Sequence, residues 1–186
     1  MKSFAALYDA LDSSTRTQDK VAALASYFRL APDNDRLWAL ALFTGRRPRR
    51  VIPAGALAAW ASQAAGIPDW LFAESYAITG DLAETIALVL PPPAHKVERS
   101  LAETMADLQH LSTLDDGSRQ DGITSAWNGL EGTERFLFIK LLTGGFRVGV
   151  SAKLAIRAVA QATDLSEADL TLNLTGNWTP GRVTWS

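Results

Sequence analysis

Apolar residues recur at helical spacing along almost the whole chain. Phe4, Leu7, Tyr8 and Leu11 share one face, and Val21, Leu24, Tyr27 and Phe28 repeat the pattern after a polar break. The same periodicity predicts helices over roughly 36–44, 54–65, 69–78, 82–90, 95–111, 121–130, 134–143, 152–163 and 167–173. Pro32-Asp33, Gly66-Ile67-Pro68 and Pro91-Pro92-Pro93 separate these stretches, because proline cannot continue a helix from within. No alternating run extends beyond a few residues. The pattern predicts an all-α fold of about ten helices, arranged as a two-lobed helical domain.

Composition narrows the picture further. A chain of 186 residues can bury a substantial core. It has no cysteine, which excludes disulfides and thiolate metal sites, and its two histidines, His95 and His110, are too few for a histidine-rich site. The opening MKSFAALYDALDSSTRTQDK is amphipathic and mixed in charge, unlike a secretory signal. No apolar run reaches the ~20 residues needed to span a bilayer. A cytoplasmic monomer without a membrane partner is expected.

The net charge of −2 conceals an uneven distribution. Residues 36–68 carry Arg36, Arg46, Arg47, Arg49 and Arg50 and no acid; residues 135–163 carry Arg135, Lys140, Arg147, Lys153 and Arg157 and no acid. The remainder is therefore net −12. Such local runs suit a polyanion, although each could equally be a solvated face.

Several polar residues are explained by helix capping. Asp81 with Glu84, and Ser166 with Asp169, have capping-box spacing, and Thr133 is expected to cap the helix containing Phe136 and Ile139. Asp115-Asp116, in a Gly/Ser turn, reads as loop solvation.

One internal echo goes further. LALFTGRR, ending at Arg47, resembles IKLLTGGFR, ending at Arg147: each is an apolar helix closed by Thr-Gly with arginine close behind. Glycine after a helix normally supplies the left-handed turn residue. The arginines suggest two lobes, each presenting one basic turn to a long polyanion. In the second turn, Gly144, Gly145 and Gly149 let backbone approach a phosphate or groove floor. Ser151 opens the next helix, whose first amides lack intrahelical partners and can meet an anion. Lys153 and Arg157 share a stripe at i, i+4. A second candidate lies at Ser13-Ser14-Thr15-Arg16-Thr17, ahead of a helix bearing Lys20, where hydroxyls, amides and a guanidinium coincide.

FLFIKLLTGGFRVGVSAKLAIRAVAQA resembles the signature of the N-terminal DNA-binding domain of ATP-dependent DNA ligases, an apolar helix leading into Gly-x-x-Arg-x-Gly and an Ala-rich helix. FAALYDALDSSTRTQDKVAALASYF is similar to the family's first two helices. WALALFTGRRPRR and TGDLAET resemble bacterial members, and GNWTPGRVTW the stretch leading toward the catalytic domain. The resemblance implies a helical DNA-binding domain over residues 1–175, with residues 176–186 beginning the linker to a catalytic domain absent from this chain. It implies binding to the minor groove and backbone on both sides of a nick, without sequence preference, in DNA repair, recombination and replication. Gly144, Gly145, Arg147, Gly149, Ser151, Lys153 and Arg157 would meet the DNA. Thr15, Arg16 and Thr17, with Arg46 and Arg47, would add backbone contacts. The implied partners are double-stranded nicked DNA and the catalytic domain of the same polypeptide.

The catalytic signature of that superfamily, Lys-x-Asp-Gly-x-Arg, does not occur here. The residues two positions after the five lysines are Phe4, Ala22, Glu98, Leu142 and Ala155, none of them aspartate. The chain is therefore expected neither to adenylate itself nor to seal DNA. It should hold no cofactor, with ATP and Mg2+ belonging to the full-length ligase. Two alternatives remain open at this point. One is a helix-hairpin-helix repair factor, which would lack the N-terminal and Trp-Thr-Pro blocks; the other is a helical adaptor that exposes some of its six tryptophans to a protein partner.

Overall fold

A computed structural model describes residues 1–176 and 178–185; Asn177, within the GNWTPGRVTW block, and Ser186 lie outside the described residues. Eleven helices and no strand occur among the described residues: α1 (Lys2–Ser13), α2 (Thr17–Leu30), α3 (Asp33–Phe43), α4 (Ala54–Ala65), α5 (Asp69–Thr79), α6 (Leu82–Val89), α7 (Leu101–Leu111), α8 (Asp116–Trp127), α9 (Gly132–Leu142), α10 (Ala152–Ala162) and α11 (Glu167–Leu174). Proline stands at the N-cap of α3, α4 and α5, where its missing N–H costs nothing. Gly66 and Gly80, both left-handed, close α4 and α5.

Three local expectations are corrected. Residues 95–100 are not helical, and the Val97 amide instead donates to the Gly129 carbonyl at 3.0 Å. Asp115 and Asp116 are not idle loop acids. Asp115 caps α8 by accepting from the Ser118 amide at 3.0 Å, and Asp116 pairs with Arg119 at 2.7 Å. Thr133 lies inside α9, whose N-cap is Glu131. The caps expected at Asp81, Ser151 and Ser166 are present.

The chain divides into two compact units interleaved in sequence. The first comprises Met1–Arg47, Ser100–Glu103 and Arg147–Ser186; the second comprises Pro48–Arg99 and Thr104–Phe146. Within the first unit α10 packs along α2, and α1 also lies against α2. Ala155, Ala158 and Val159 are buried, so small side chains let the two helix backbones approach. Phe4 sits edge-on to Tyr27, with ring centroids 6.0 Å apart. Buried Asp35 accepts the Leu101 and Ala102 amides at 3.2 and 2.8 Å, satisfying the open start of α7.

In the second unit α6 packs against α9, α5 and α4 over Ile86, Leu57, Leu137 and Leu141. Arg135, only 3% exposed, is held among carbonyl oxygens. Its guanidinium donates to Leu130 at 2.7 Å, Trp127 at 2.9 Å, Pro91 at 2.9 Å and Leu90 at 3.3 Å. These carbonyls lie at or just beyond the C-terminal ends of α8 and α6, where a cation also meets the negative end of the helix dipole. Burial pushes the Arg135 pKa down from its usual value.

Candidate nucleic-acid interface

The echo between the two Thr-Gly turns is structural. In one turn Gly45 and Arg46 amides donate to Leu42 and Ala41; in the other Gly144 and Gly145 donate to Leu141 and Lys140. Both glycines have positive φ, +89° and +67°, and both threonine hydroxyls bond back to the carbonyl four residues earlier. Each turn is thus a Schellman closure reinforced by a hydroxyl. The expected assignment of one basic turn to each lobe is corrected, however. Arg46, Arg47 and Arg147 all belong to the first unit, while Gly144 and Gly145 belong to the second.

The first unit places Arg16, Lys20 and Lys153 at one end of a helix pair, with Arg147 just ahead of it in sequence. Lys20, in the first turn of α2, donates to the Gly149 carbonyl just before α10, at 3.5 Å. Arg29, in the last turn of α2, donates to the Gln161 carbonyl near the end of α10. Contacts at matching ends mean that α2 and α10 run parallel. Their positive dipole ends therefore point the same way, close to Arg16, Lys20 and the Gly149 turn.

Local sequence prepares both starts. The N-cap of α2 is Arg16 itself, extended and without a side-chain cap, while the Ser14 hydroxyl accepts the Arg16 amide at 3.3 Å. Thr15, Arg16 and Thr17 are all exposed. At α10, the Ser151 hydroxyl accepts the Leu154 amide at 3.2 Å. Gly149 has φ +57°, a backbone region that side chains rarely adopt.

Arg16, Lys20, Arg147, Lys153 and Arg157 take part in none of the five ion pairs among the described residues. Asp19 is the acid nearest in sequence to Arg16 and Lys20, and it is exposed. The other two cations of the 135–163 run are committed elsewhere. Arg135 is the buried carbonyl ligand described above, and Lys140 pairs with Asp81, the N-cap of α6. Burial would raise the Asp81 carboxyl. The Lys140 ammonium and the Glu84 and Ala83 amides outweigh it and hold the pKa below the usual value.

In the second unit the Gly144 turn meets the other acid-free run. The Val51 amide donates to the Leu142 carbonyl at 2.9 Å. A Cβ added to Gly144 would stand 3.5 Å from the Pro48 carbonyl oxygen and 3.8 Å from the Arg50 nitrogen. Exposed Arg49 and Arg50 therefore extend from a segment running against the Gly144 turn.

A family model described as the DNA ligase N terminus matches residues 1–160. The chain belongs to this family. No curated protein matches it. The matched span of the ligase N-terminal domain includes both Thr-Gly turns and both helix starts, and it ends within α10. Membership selects the ligase reading over the helix-hairpin-helix and adaptor readings of the sequence. Among the described residues no helix is long and apolar enough to cross a membrane, and no cluster of three or more metal-ligating side chains occurs.

Not every residue expected at the interface is free to serve it. Arg46 is half-buried, donates to the Leu174 and Gly176 carbonyls at 2.9 and 3.0 Å, and lies 4.6 Å over the Trp178 ring. Its role is to fasten the segment after α11 within the ligase domain's first unit. Arg47 is exposed. Sequence reasoning left Lys20, Arg49 and Arg50 out of the candidate set. Lys20 follows Arg16 by one helical turn, and Arg49-Arg50 sit in the first acid-free run, so charge and spacing already carried both signals.

Proposed function

We propose that this ligase N-terminal domain grips duplex DNA through its phosphate backbone and minor groove, on both sides of a nick and without sequence preference. The observation that carries the reading is the parallel packing of α2 on α10. It aligns two helix N-termini beside Arg16, Lys20 and the Gly149 turn, with Arg147 and Lys153 flanking that turn in sequence. Helix starts and unpaired cations together favour phosphate, and backbone contacts fix position without reading bases. Gly144 and Gly145, with Arg49 and Arg50 alongside, form a second contact region in the other unit. Thr15, Thr17, Ser151 and Arg157 extend the first, and Arg47 is a further exposed candidate.

In this reading the chain supplies grip rather than chemistry. ATP and Mg2+ serve the adenylation and sealing steps on the catalytic domain of the full-length enzyme, which acts in repair, recombination or replication. The domain works as a monomer.

The test is binding of this chain to nicked, intact and single-stranded DNA of random sequence across a salt series. Saturable duplex binding is expected, with affinity falling steeply as salt rises. Arg147→Ala should weaken binding to every duplex alike and lessen the salt slope by roughly 0.9, the value for one lost phosphate contact. Absence of duplex binding at low salt would overturn the reading.

A further inference from the structure

Residues 178–185 follow α11 without a helix or strand of their own, yet both of their tryptophans are held on the first unit. Trp178 lies under the Arg46 guanidinium, as described above. Trp185 stacks on Phe28, with ring centroids 5.7 Å apart and planes 12° from parallel, and the Arg36 guanidinium stands 5.6 Å from its ring. Rings held in this way need little reordering to receive a ligand. Together with Leu37 and Leu40 of α3, Val159 of α10 and Leu170 of α11, they line a cavity of about 250 Å³. All of its lining residues belong to the first unit. An apolar cavity of about 150 Å³ already admits benzene, so this one has room for an aromatic ring with a short chain.

One donor in the cavity wall is unanswered. The Trp178 indole N–H is buried and has no hydrogen-bond partner among the described residues. A buried donor without an acceptor is costly, and a ligand that brings the acceptor recovers that cost. Water is a poor substitute, because a buried water needs about two to four polar partners. Of the other polar residues in the lining, the Thr163 hydroxyl already donates to the Val159 carbonyl at 2.9 Å and accepts the Leu165 amide at 3.4 Å. Asn173 and Thr184 are exposed.

We propose that this cavity binds a small, mainly apolar molecule carrying one hydrogen-bond acceptor, such as an aryl ketone, and that the molecule fastens residues 178–185 to α3, α10 and α11. The rings and aliphatic side chains would take its body, and the Trp178 N–H its acceptor. Apolar pockets orient their ligands through a few polar groups of this kind.

The test is calorimetric titration of the chain with propiophenone and with propylbenzene, which differ only in a carbonyl replacing a methylene. Both should bind saturably. Trp178→Phe removes the N–H and keeps an aromatic ring. In that variant the affinity for propiophenone relative to propylbenzene should fall by about fivefold, as loss of one hydrogen bond does. A second readout is tryptic cleavage after exposed Arg182, followed by mass spectrometry. Propiophenone at about ten times its Kd should slow that cut by about tenfold in the parent chain, because the segment must shed the ligand to open. This readout needs no variant and decides the matter even where Trp178→Phe does not fold. Failure of both compounds to bind, or an affinity ratio unchanged by Trp178→Phe, would overturn the proposal. Binding that leaves the cut after Arg182 unaffected would place the ligand in another cavity and overturn it equally.

Discussion

Arg135 and Lys140 belong to the same acid-free run as Arg147, Lys153 and Arg157, yet the two groups have opposite fates. The first two are drawn inward, one onto four carbonyl oxygens and the other onto Asp81. The last three stay exposed and outside every ion pair among the described residues. A run of like charge in sequence thus contains two kinds of cation, and residues distant in sequence decide which is which. Asp81 lies 59 residues from Lys140, and the Pro91 carbonyl 44 from Arg135. Local charge counts cannot see partners at that range.

The sharpest way to break this comparison is Arg135→Ala. It strips four buried or half-buried carbonyls of their donor and should lower unfolding free energy by about 3 kcal/mol, read by denaturant titration. A near-neutral result would mean that the carbonyls are solvated instead. Arg16→Ala with Lys153→Ala tests the other group. Stability should move by no more than about 0.5 kcal/mol in the double variant. The salt slope of duplex binding should fall by roughly 1.8, since each phosphate contact contributes about 0.9.

The Asp81–Lys140 pair sharpens the contrast through pH. A carboxyl whose folded pKa lies below its ordinary 3.8 stabilises the fold fully above that value and loses the contribution as pH falls through the folded pKa. Thermal melts of the parent and Asp81→Asn should therefore differ near neutrality and converge in acid below about pH 4, where the carboxylate is lost. A constant gap would show that the cap, which Asn also provides, matters more than the charge. The smallest effect on DNA is expected from Arg46→Ala. Duplex affinity should hold within about twofold, because the guanidinium already faces two carbonyls and an indole. The tryptophan emission of the Trp178 segment should shift to the red. A loss of affinity matching that of Arg147→Ala would return Arg46 to the interface.

Much of the fold was legible in the sequence because its punctuation is chemical. Helix α4 runs over the expected span since Pro53 opens it and Gly66 closes it. The start of α7 was legible but missed. Ser100 and Glu103 have capping-box spacing, and the Ser100 hydroxyl accepts the Glu103 amide at 3.0 Å while the Glu103 carboxylate accepts the Ser100 amide at 2.7 Å. What no local pattern encodes is Asp35, 66 residues earlier, which receives the Leu101 and Ala102 amides. At the candidate interface, the Gly-x-x-Arg-x-Gly turn and the cap at Ser151 could be read directly. The parallel pairing of α2 with α10 could not, since it depends on bonds spanning 129 and 132 residues. Arg46 shows the converse: its sequence context matched Arg147, but Leu174 and Trp178 reach it from the far end of the chain.

The interleaving of the two units also bears on how the chain assembles. All but four residues of the stretch 48–146 belong to one unit, so its helices can meet as soon as that stretch exists. The other unit joins residues 1–47 to residues 147–186 and cannot close until the last helices arrive. During synthesis from the N-terminus, α2 waits without its partner α10 while the entire second unit forms. Closing so large a loop is slow, and an uncovered apolar face is prone to aggregate in the interval. The pairing of the two helix starts is therefore the last part of the domain to take shape, and a chain stopped before residue 147 has the start of α2 without that of α10.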